Sequence, residues 1–258
     1  MTHLRKAINI MLLLMMPLLL VQCEKDGQEY TRFRISQLFF SDHPIHFAIS
    51  QKGKIKFKTS LRYGETIPYT QLPSGMYTIE IGLEGDRPLL SKQIGFGRGD
   101  TYTFVLIGLP LEGAKVNRTN LNTELKRIAQ GEEAVTPNDY LPQLRILNDT
   151  FESTDSQAKI RWINCTPGTT SISARAINLK KTDTISFGSL IYPVSSSLNC
   201  TTVSNIKLEW SIGNKDRIVA DTVISLKAKT LYTFIVGAKK KEFINNLIVR
   251  TLRTENTD

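Results

Sequence analysis

The chain has 258 residues, of which 41% are hydrophobic and 22% charged, and its formal net charge is +9. This apolar content is sufficient for a packed core and too high for a disordered chain. Because domains average about 100–150 residues, the length predicts two domains. Three cysteines and three histidines are too few for a zinc-ribbon protein or a small disulfide-held scaffold.

The N-terminus has the layout of a secretory signal peptide. Arg5 and Lys6 form a short positive segment, and an apolar run follows from Ala7 to Val21. A membrane-spanning helix needs about 20 apolar residues, and this run is shorter. We therefore predict that residues 1–22 are a signal that is removed on export.

The apolar run ends in Leu20-Val21-Gln22-Cys23, which resembles the lipoprotein box of bacteria. The resemblance implies cleavage before Cys23, acylation of that cysteine, and anchoring in a membrane through its lipid chains. The alternative is an ordinary signal peptide followed by a coincidental cysteine. On the lipoprotein reading, residues 23–30 are a lipidated tether.

The tether begins with Glu24-Lys25-Asp26, which resembles the surface-export tags of Bacteroidota lipoproteins. That resemblance implies the outer face of the outer membrane, with the periplasmic face as the alternative. An exported protein does not meet chromosomal nucleic acid, so nucleic acid is not an expected partner. The positive charge then indicates a solvated face or, less strongly, contact with acidic surface polymers.

Period-2 alternation indicates β-strands in the rest of the chain. Between Tyr77 and Leu83 the odd positions are apolar, and between Ile206 and Ile212 the even positions are. This alternation is typical of strands with one face in a core. Turn residues such as Gly97-Arg98-Gly99-Asp100 separate the strands. We therefore predict an all-β chain of antiparallel sandwiches.

One segment has helical spacing instead. Leu121, Leu125 and Ile128 lie at i, i+4 and i+7, which predicts a single short helix over residues 120–130. The polar stretch at 131–139 is typical of a linker.

The two halves of the chain are similar to each other. Thr101-Tyr102-Thr103-Phe104-Val105 matches Leu231-Tyr232-Thr233-Phe234-Ile235 at an offset of 130 residues, and the predicted elements follow in the same order. We predict a first sandwich over residues 31–118, a helix and linker over 119–140, and a second sandwich over 141–258.

Three segments resemble one known family. Residues 159–168 (Lys-Ile-Arg-Trp-Ile-Asn-Cys-Thr-Pro-Gly), Leu72–Ile79 and Gly99–Phe104 are similar to the opening and two later strands of the domain-of-unknown-function 4397 family. That family occurs in tandem in exported bacterial lipoproteins. The resemblance implies two tandem immunoglobulin-like sandwiches, and it supplies no catalytic residues.

The candidate site residues are few. Cys165 and Cys200 remain once Cys23 is lipidated, and an exported pair is expected to form a disulfide, with two separate thiols as the alternative. His43 and His46 flank Pro44, which favours a loop over a metal site. We therefore predict no metal, no cofactor and no catalytic residue.

The aromatic residues have two predicted roles. Trp162 and Trp210 lie on apolar strand faces and are expected in the core. A glycan site would draw on aromatics in less regular sequence, namely Phe39, Phe40, Tyr63 and Tyr69.

These observations favour a lipid-anchored, non-catalytic binding or adhesion module for glycan or a surface protein. The alternative is a structural component of fimbriae or of envelope assembly. A hydrolase that uses His43 or His46 is the least favoured reading. The sequence predicts neither the ligand nor the oligomeric state.

Overall fold

The computed structural model describes residues 30–83, 88–108, 142–152, 154–166, 171–180, 183–213, 218–238 and 247–255. Cys23 and the predicted helix at 120–130 lie outside these ranges. Inside them every regular element is a β-strand, and these described residues form no helix long and apolar enough to cross a bilayer.

Sixteen strands form two groups of eight. The first group is β1 (Tyr30–Phe39), β2 (Ile45–Gln51), β3 (Lys54–Leu61), β4 (Thr70–Pro73), β5 (Gly75–Gly82), β6 (Leu90–Phe96), β7 (Thr101–Gly108) and β8 (Gln143–Asn148). The second group is β9 (Gln157–Asn164), β10 (Ile172–Asn178), β11 (Thr184–Leu190), β12 (Asn199–Thr202), β13 (Asn205–Ile212), β14 (Ile218–Ser225), β15 (Thr230–Ala238) and β16 (Leu247–Glu255).

Each group forms one β-sandwich, and the two sandwiches share one topology. The first consists of sheets β4-β1-β7-β8 and β3-β2-β5-β6, and the second of sheets β12-β9-β15-β16 and β11-β10-β13-β14. In both, the first strand runs parallel to the seventh, and all other pairs are antiparallel. The predicted all-β tandem sandwich and the internal repeat are therefore confirmed.

The repeat extends to single side chains. The Tyr102 hydroxyl accepts a hydrogen bond from the Gly97 amide, and the Tyr232 hydroxyl accepts one from the Lys227 amide, again at an offset of 130. Both tyrosines anchor the turn that leads into their own strand. The matched Tyr-Thr-Phe segments thus mark the same corner of the two sandwiches.

In two of the four sheets the central strands are buried on both faces. In β1, Phe33 and Ile35 point into the core of the first sandwich, while Arg34 and Leu38 point the opposite way, and all four are 5% exposed or less. We call β4-β1-β7-β8 and β12-β9-β15-β16 the inner sheets because they pack against each other. Their shared apolar contact consists of Leu38, Val105, Ile107, Leu147, Ile163, Cys165, Tyr192 and Ile235.

The molecule is therefore four sheets deep, with each outer sheet covering one inner sheet. The separate cores of the two sandwiches lie between inner and outer sheets. Strands buried on both faces are continuously apolar rather than alternating. This explains why β7 and β15 have almost no exposed position, whereas β5 alternates as predicted.

One predicted boundary is corrected. Residues 141–148 are predicted at the start of the second sandwich, but β8 pairs antiparallel with β7 and completes the first. The equivalent strand of the second sandwich is β16, which pairs with β15. The polar linker seen in the sequence thus falls inside the first repeat, between its last two strands.

The predicted disulfide is also corrected, because both cysteines are free thiols. Cys200 lies opposite Lys159 in the pairing of β12 with β9. Cys165 lies six residues further along, past the end of β9, which places it about 20 Å away. Cys165 is buried between the inner sheets, whereas Cys200 is exposed and accepts a hydrogen bond from the Lys159 ammonium at 2.7 Å.

This arrangement predicts the order in which the thiols react. Cys200 should be alkylated by a maleimide in the native protein, and Cys165 only after unfolding, because burial raises the pKa of the Cys165 thiol and excludes the reagent. Mass spectrometry before and after denaturation measures both steps. The Cys200→Ser variant is the control and should show no native labelling. An intact mass lower by two hydrogens would instead indicate the disulfide.

Candidate functional site

A polar layer joins the two inner sheets at the end where β1 and β7 begin. Arg34 in β1 and Arg161 in β9 occupy equivalent positions in the two repeats, and their guanidinium groups are almost fully buried. Each Nε donates to the threonine of the adjacent parallel strand: Arg34 to Thr103 at 2.7 Å and Arg161 to Thr233 at 3.0 Å.

Asp149 supplies the negative charge of this layer. Its side chain is fully buried, and one oxygen accepts a hydrogen bond from Arg161 Nη2. The other oxygen accepts from Thr103 and, at 2.6 Å, from the Tyr69 hydroxyl, and it lies 3.7 Å from Arg34 Nη2. One carboxylate therefore neutralises guanidinium groups from both sandwiches.

The two arginines reach across the interface in the same way. Arg161 donates to the Asn148 carbonyl and to Asp149, while Arg34 donates to the Arg253 carbonyl at 2.9 Å and to Thr254 at 3.1 Å. The strand registers make Asp149 and Thr254 equivalent positions of the repeat. The contacts of the two arginines thus follow an approximate twofold pattern, in which aspartate on one side is replaced by threonine on the other.

The layer carries a net positive charge, because two guanidinium groups share one carboxylate. Burial and, to a lesser extent, the positive charge of Arg34 lower the pKa of Arg161 to about 10. Burial also lowers the pKa of Arg34. Such a layer is stable only if its charges remain hydrogen-bonded, which here depends on carbonyl groups of the opposite sandwich.

A cleft opens directly above this layer. We call it the interdomain cleft. Its volume is about 310 Å³, and it is lined by Tyr30, Arg32, Gln71, Gly99, Thr101, Asp149, Thr150, Phe151, Thr254 and Glu255. Asp149 and Thr254 form the buried floor, so the network that joins the sandwiches also shapes the site. Its volume is at the lower end of the range typical of small-ligand sites.

The rim combines aromatic surface with polar groups. Tyr30 is 49% exposed, and the partly buried Phe151 lines the same cleft. The Arg32 guanidinium is held 5.0 Å from the centre of the Tyr69 ring, and Arg32 lies opposite Gln71 in the pairing of β1 with β4. Arg32 offers donors, Glu255 offers acceptors and Gln71 offers both. This set suits a ligand with an apolar face and several hydroxyl groups.

The aromatic residues singled out from the sequence do not line this cleft. Phe39 and Phe40 are buried, and Phe40 stacks on Tyr63 with ring centres 4.2 Å apart. The Tyr63 hydroxyl donates to the Ala238 carbonyl across the interface, and burial raises the pKa of Tyr63. Tyr69 is bound to Asp149. Phe39 lies in the core of the first sandwich, and the other three side chains connect the two sandwiches.

The remaining residues that the sequence singled out lie in the core, in a turn or in an exposed bend. Trp162 and Trp210 are both 1% exposed and lie in the core, as predicted. Gly99 has a φ of 72° in the predicted turn, and Asp100 accepts a hydrogen bond from Tyr102 there. His43 is exposed in a bend.

Two smaller depressions lie on the outer sheets. One of about 110 Å³ is lined by His46 and Glu80, and one of about 130 Å³ by Arg175 and Glu209. Glu209 is held by Arg175 at 2.7 Å and by Lys207 at 2.8 Å. Across the residues that the structure describes, no cluster of three or more His, Cys, Asp or Glu could hold a metal ion.

No family model matches the chain, and no curated protein matches its sequence. Membership of the domain-of-unknown-function 4397 family therefore stays a prediction. Among solved structures, the tip fimbrial protein Mfa3 of Porphyromonas gingivalis is similar over 88% of this chain and 99% of its own, with 7% identity and a TM-score of 0.31.

Two further structures are similar over 88% of this chain and 98% of their own. One is a proposed cell adhesion protein of Bacteroides ovatus, at 10% identity and a TM-score of 0.21. The other is the family CBM26 module CBMbc of Eubacterium rectale Amy13K in complex with maltoheptaose, at 12% identity and a TM-score of 0.24. At these values the similarity is one of architecture, and the functions of these proteins do not transfer.

The buried network predicts a large effect of one isosteric change. Asp149→Asn keeps the shape but leaves two buried guanidinium groups without a counter-charge, so the free energy of unfolding should fall by about 3–5 kcal/mol. Urea unfolding followed by tryptophan fluorescence measures the loss. The control is Asp155→Asn, which removes an exposed ion pair with Lys229 and should leave the urea midpoint almost unchanged, because solvent screens exposed charges.

A second substitution tests the charge itself. Adding Thr254→Asp to Asp149→Asn returns a carboxylate to the equivalent position beside Arg34, and it should recover part of the lost stability. If Asp149→Asn alone unfolds at the wild-type urea concentration, the network does not join the sandwiches as described.

Proposed function

We propose that this protein is an exported, lipid-anchored lipoprotein of the outer membrane that acts as a non-catalytic binding module for glycan. The interdomain cleft supports the proposal, because it displays Tyr30, Phe151 and several hydrogen-bonding side chains on a firmly joined scaffold. Both sandwiches contribute residues, so the site exists only in the docked pair. The lipid anchor is the acylated Cys23, and the outer face of the outer membrane is the proposed location.

A saccharide ring matches the chemistry of the cleft. Its apolar face can stack on Tyr30, and its hydroxyl groups can bond to planar polar groups such as the Arg32 guanidinium and the Gln71 amide. A preformed site loses little entropy on binding, and the buried network keeps the floor of this one fixed. The protein then holds its ligand without transforming it.

A structural role in envelope assembly is the second candidate, and one strand favours it. Among the described strands, β11 pairs only with β10 and carries no charged residue, and Ile185 in it is 40% exposed. The equivalent edge strand β3 carries Lys54, Lys56 and Lys58, which discourage strand pairing between molecules. An uncharged edge such as β11 can accept a strand from a partner.

The glycan proposal predicts which substitutions weaken binding. Tyr30→Ala should weaken binding to a glycan array by about tenfold, because stacking on the ring is lost. Gln71→Ala should weaken binding through loss of a hydrogen bond. The matched control is Met76→Ala, since Met76 is 62% exposed on an outer sheet and does not line the cleft.

Two results would contradict the proposal. If wild-type protein binds no glycan on the array and migrates as SDS-resistant oligomers, the assembly role is favoured instead. If Met76→Ala weakens binding as much as Tyr30→Ala, the ligand binds elsewhere.

The anchor is tested separately. Cells grown with an alkyne-labelled fatty acid should incorporate label into the wild-type protein and not into Cys23→Ala, which should be recovered in the soluble fraction. Protease treatment of intact cells should remove the wild-type protein if it faces outward. Label retained in Cys23→Ala would contradict acylation at that residue.

A further inference from the structure

The interdomain cleft lies at one end of the molecule, where the described chain begins. Tyr30 is the first residue of β1 and lines the cleft. Because β1 and β7 run parallel, Thr101 begins its strand beside Arg32, and both residues line the cleft. Glu255, the last residue of β16, completes the same end. We call this the Tyr30 end.

The covalent chain limits how far this end can lie from the lipid anchor. Only residues 24–29 separate Cys23 from Tyr30. Seven Cα–Cα steps span at most about 24 Å even when fully extended. The strands themselves are comparable in length, since an eight-residue strand is about 26 Å long. The opposite end of the molecule can therefore swing away from the membrane, but the cleft cannot.

This geometry bears on which ligands can reach the cleft. A saccharide on another cell would have to enter the space between the protein and its own membrane. A saccharide on the same membrane is held within the reach of the tether, where a short link gives an effective concentration in the millimolar range. The site therefore favours ligands presented by the surface that carries the protein.

We infer that the cleft binds the sugar headgroup of a glycolipid in the protein's own membrane. This inference rests on the proposed glycan function and on acylation of Cys23, and it adds the source of the ligand. Tyr30 and Phe151 would contact the face of the sugar, and Arg32, Gln71 and Glu255 its hydroxyl groups. The lipid chains of Cys23 then act with the headgroup contact as two linked attachments to one surface.

The test uses lipidated full-length protein inserted in phosphatidylethanolamine vesicles with or without lipopolysaccharide. Hydrogen exchange at residues 97–101 and 149–152 reports occupancy of the cleft. We expect slower exchange only on vesicles that carry lipopolysaccharide, and less slowing in Tyr30→Ala than in the wild type, with Met76→Ala again the control. Equal slowing on both kinds of vesicle would mean membrane contact without sugar recognition and would overturn the inference.

Tether length supplies a second measurement. A flexible Gly-Ser insertion after Asp26 that makes the tether about four times longer should lower the effective concentration about twofold. Glycolipids are spread over the membrane plane, so only the reach of the tether away from the membrane dilutes them, and this reach grows with roughly the square root of tether length. The lipopolysaccharide density needed for half-maximal protection should rise accordingly. An unchanged density would show that the tether does not direct the cleft to its own membrane.

The soluble Cys23→Ala variant separates this inference from the proposed function. If it binds free saccharide in the cleft while the lipidated protein ignores lipopolysaccharide in its own vesicle, the glycan function stands and the membrane source is wrong. If neither form binds any saccharide, both fail.

Discussion

The arrangement of the two sandwiches depends on the contact between Asp149 and two arginines. Arg34 and Arg161 belong to different sandwiches, and both are buried beside the same carboxylate. A buried guanidinium without a counter-charge is strongly destabilising. Separating the two inner sheets would therefore expose the guanidinium groups or leave them buried without their carboxylate. The apolar contact around Leu38 and Ile235 adds buried area to the interface. The ionic layer fixes how the two inner sheets are aligned with each other.

Much of this fold could be predicted from the sequence. Alternation in β5 and β13 marked strands with one exposed face, and the Tyr-Thr-Phe match identified the repeat. Face-to-face packing of the inner sheets could not be predicted, because residues such as Arg34 read as solvent-facing in a simple alternating pattern. The same limitation misplaced β8, whose partner is fixed by pairing with β7 across a long connection.

The candidate site could not be predicted from the sequence for a related reason. The cleft combines the start of β1, the middle of β4, the turn before β7, the residues after β8 and the end of β16. These segments lie as much as 225 positions apart and meet only because the two sandwiches dock. Tyr63 and Tyr69 are predicted candidates because they are aromatic residues in irregular sequence. Docking of the two sandwiches partly buries both side chains, which then connect one sandwich to the other. The two cysteines illustrate the same point, since an even number of thiols says nothing about the distance between them.

Arg34 and Arg161 each bond to the opposite sandwich, as equivalent residues do across the interface of a homodimer. Here the two halves of that interface belong to one polypeptide. Two identical subunits related by a twofold axis would have to carry the same residue at the positions of Asp149 and Thr254. Two aspartates would give a neutral interface, and two threonines would bury two positive charges with none to balance them. One aspartate is an intermediate that a symmetric pair of subunits cannot adopt. Joining the halves in one chain allows a single residue to set the charge of the interface.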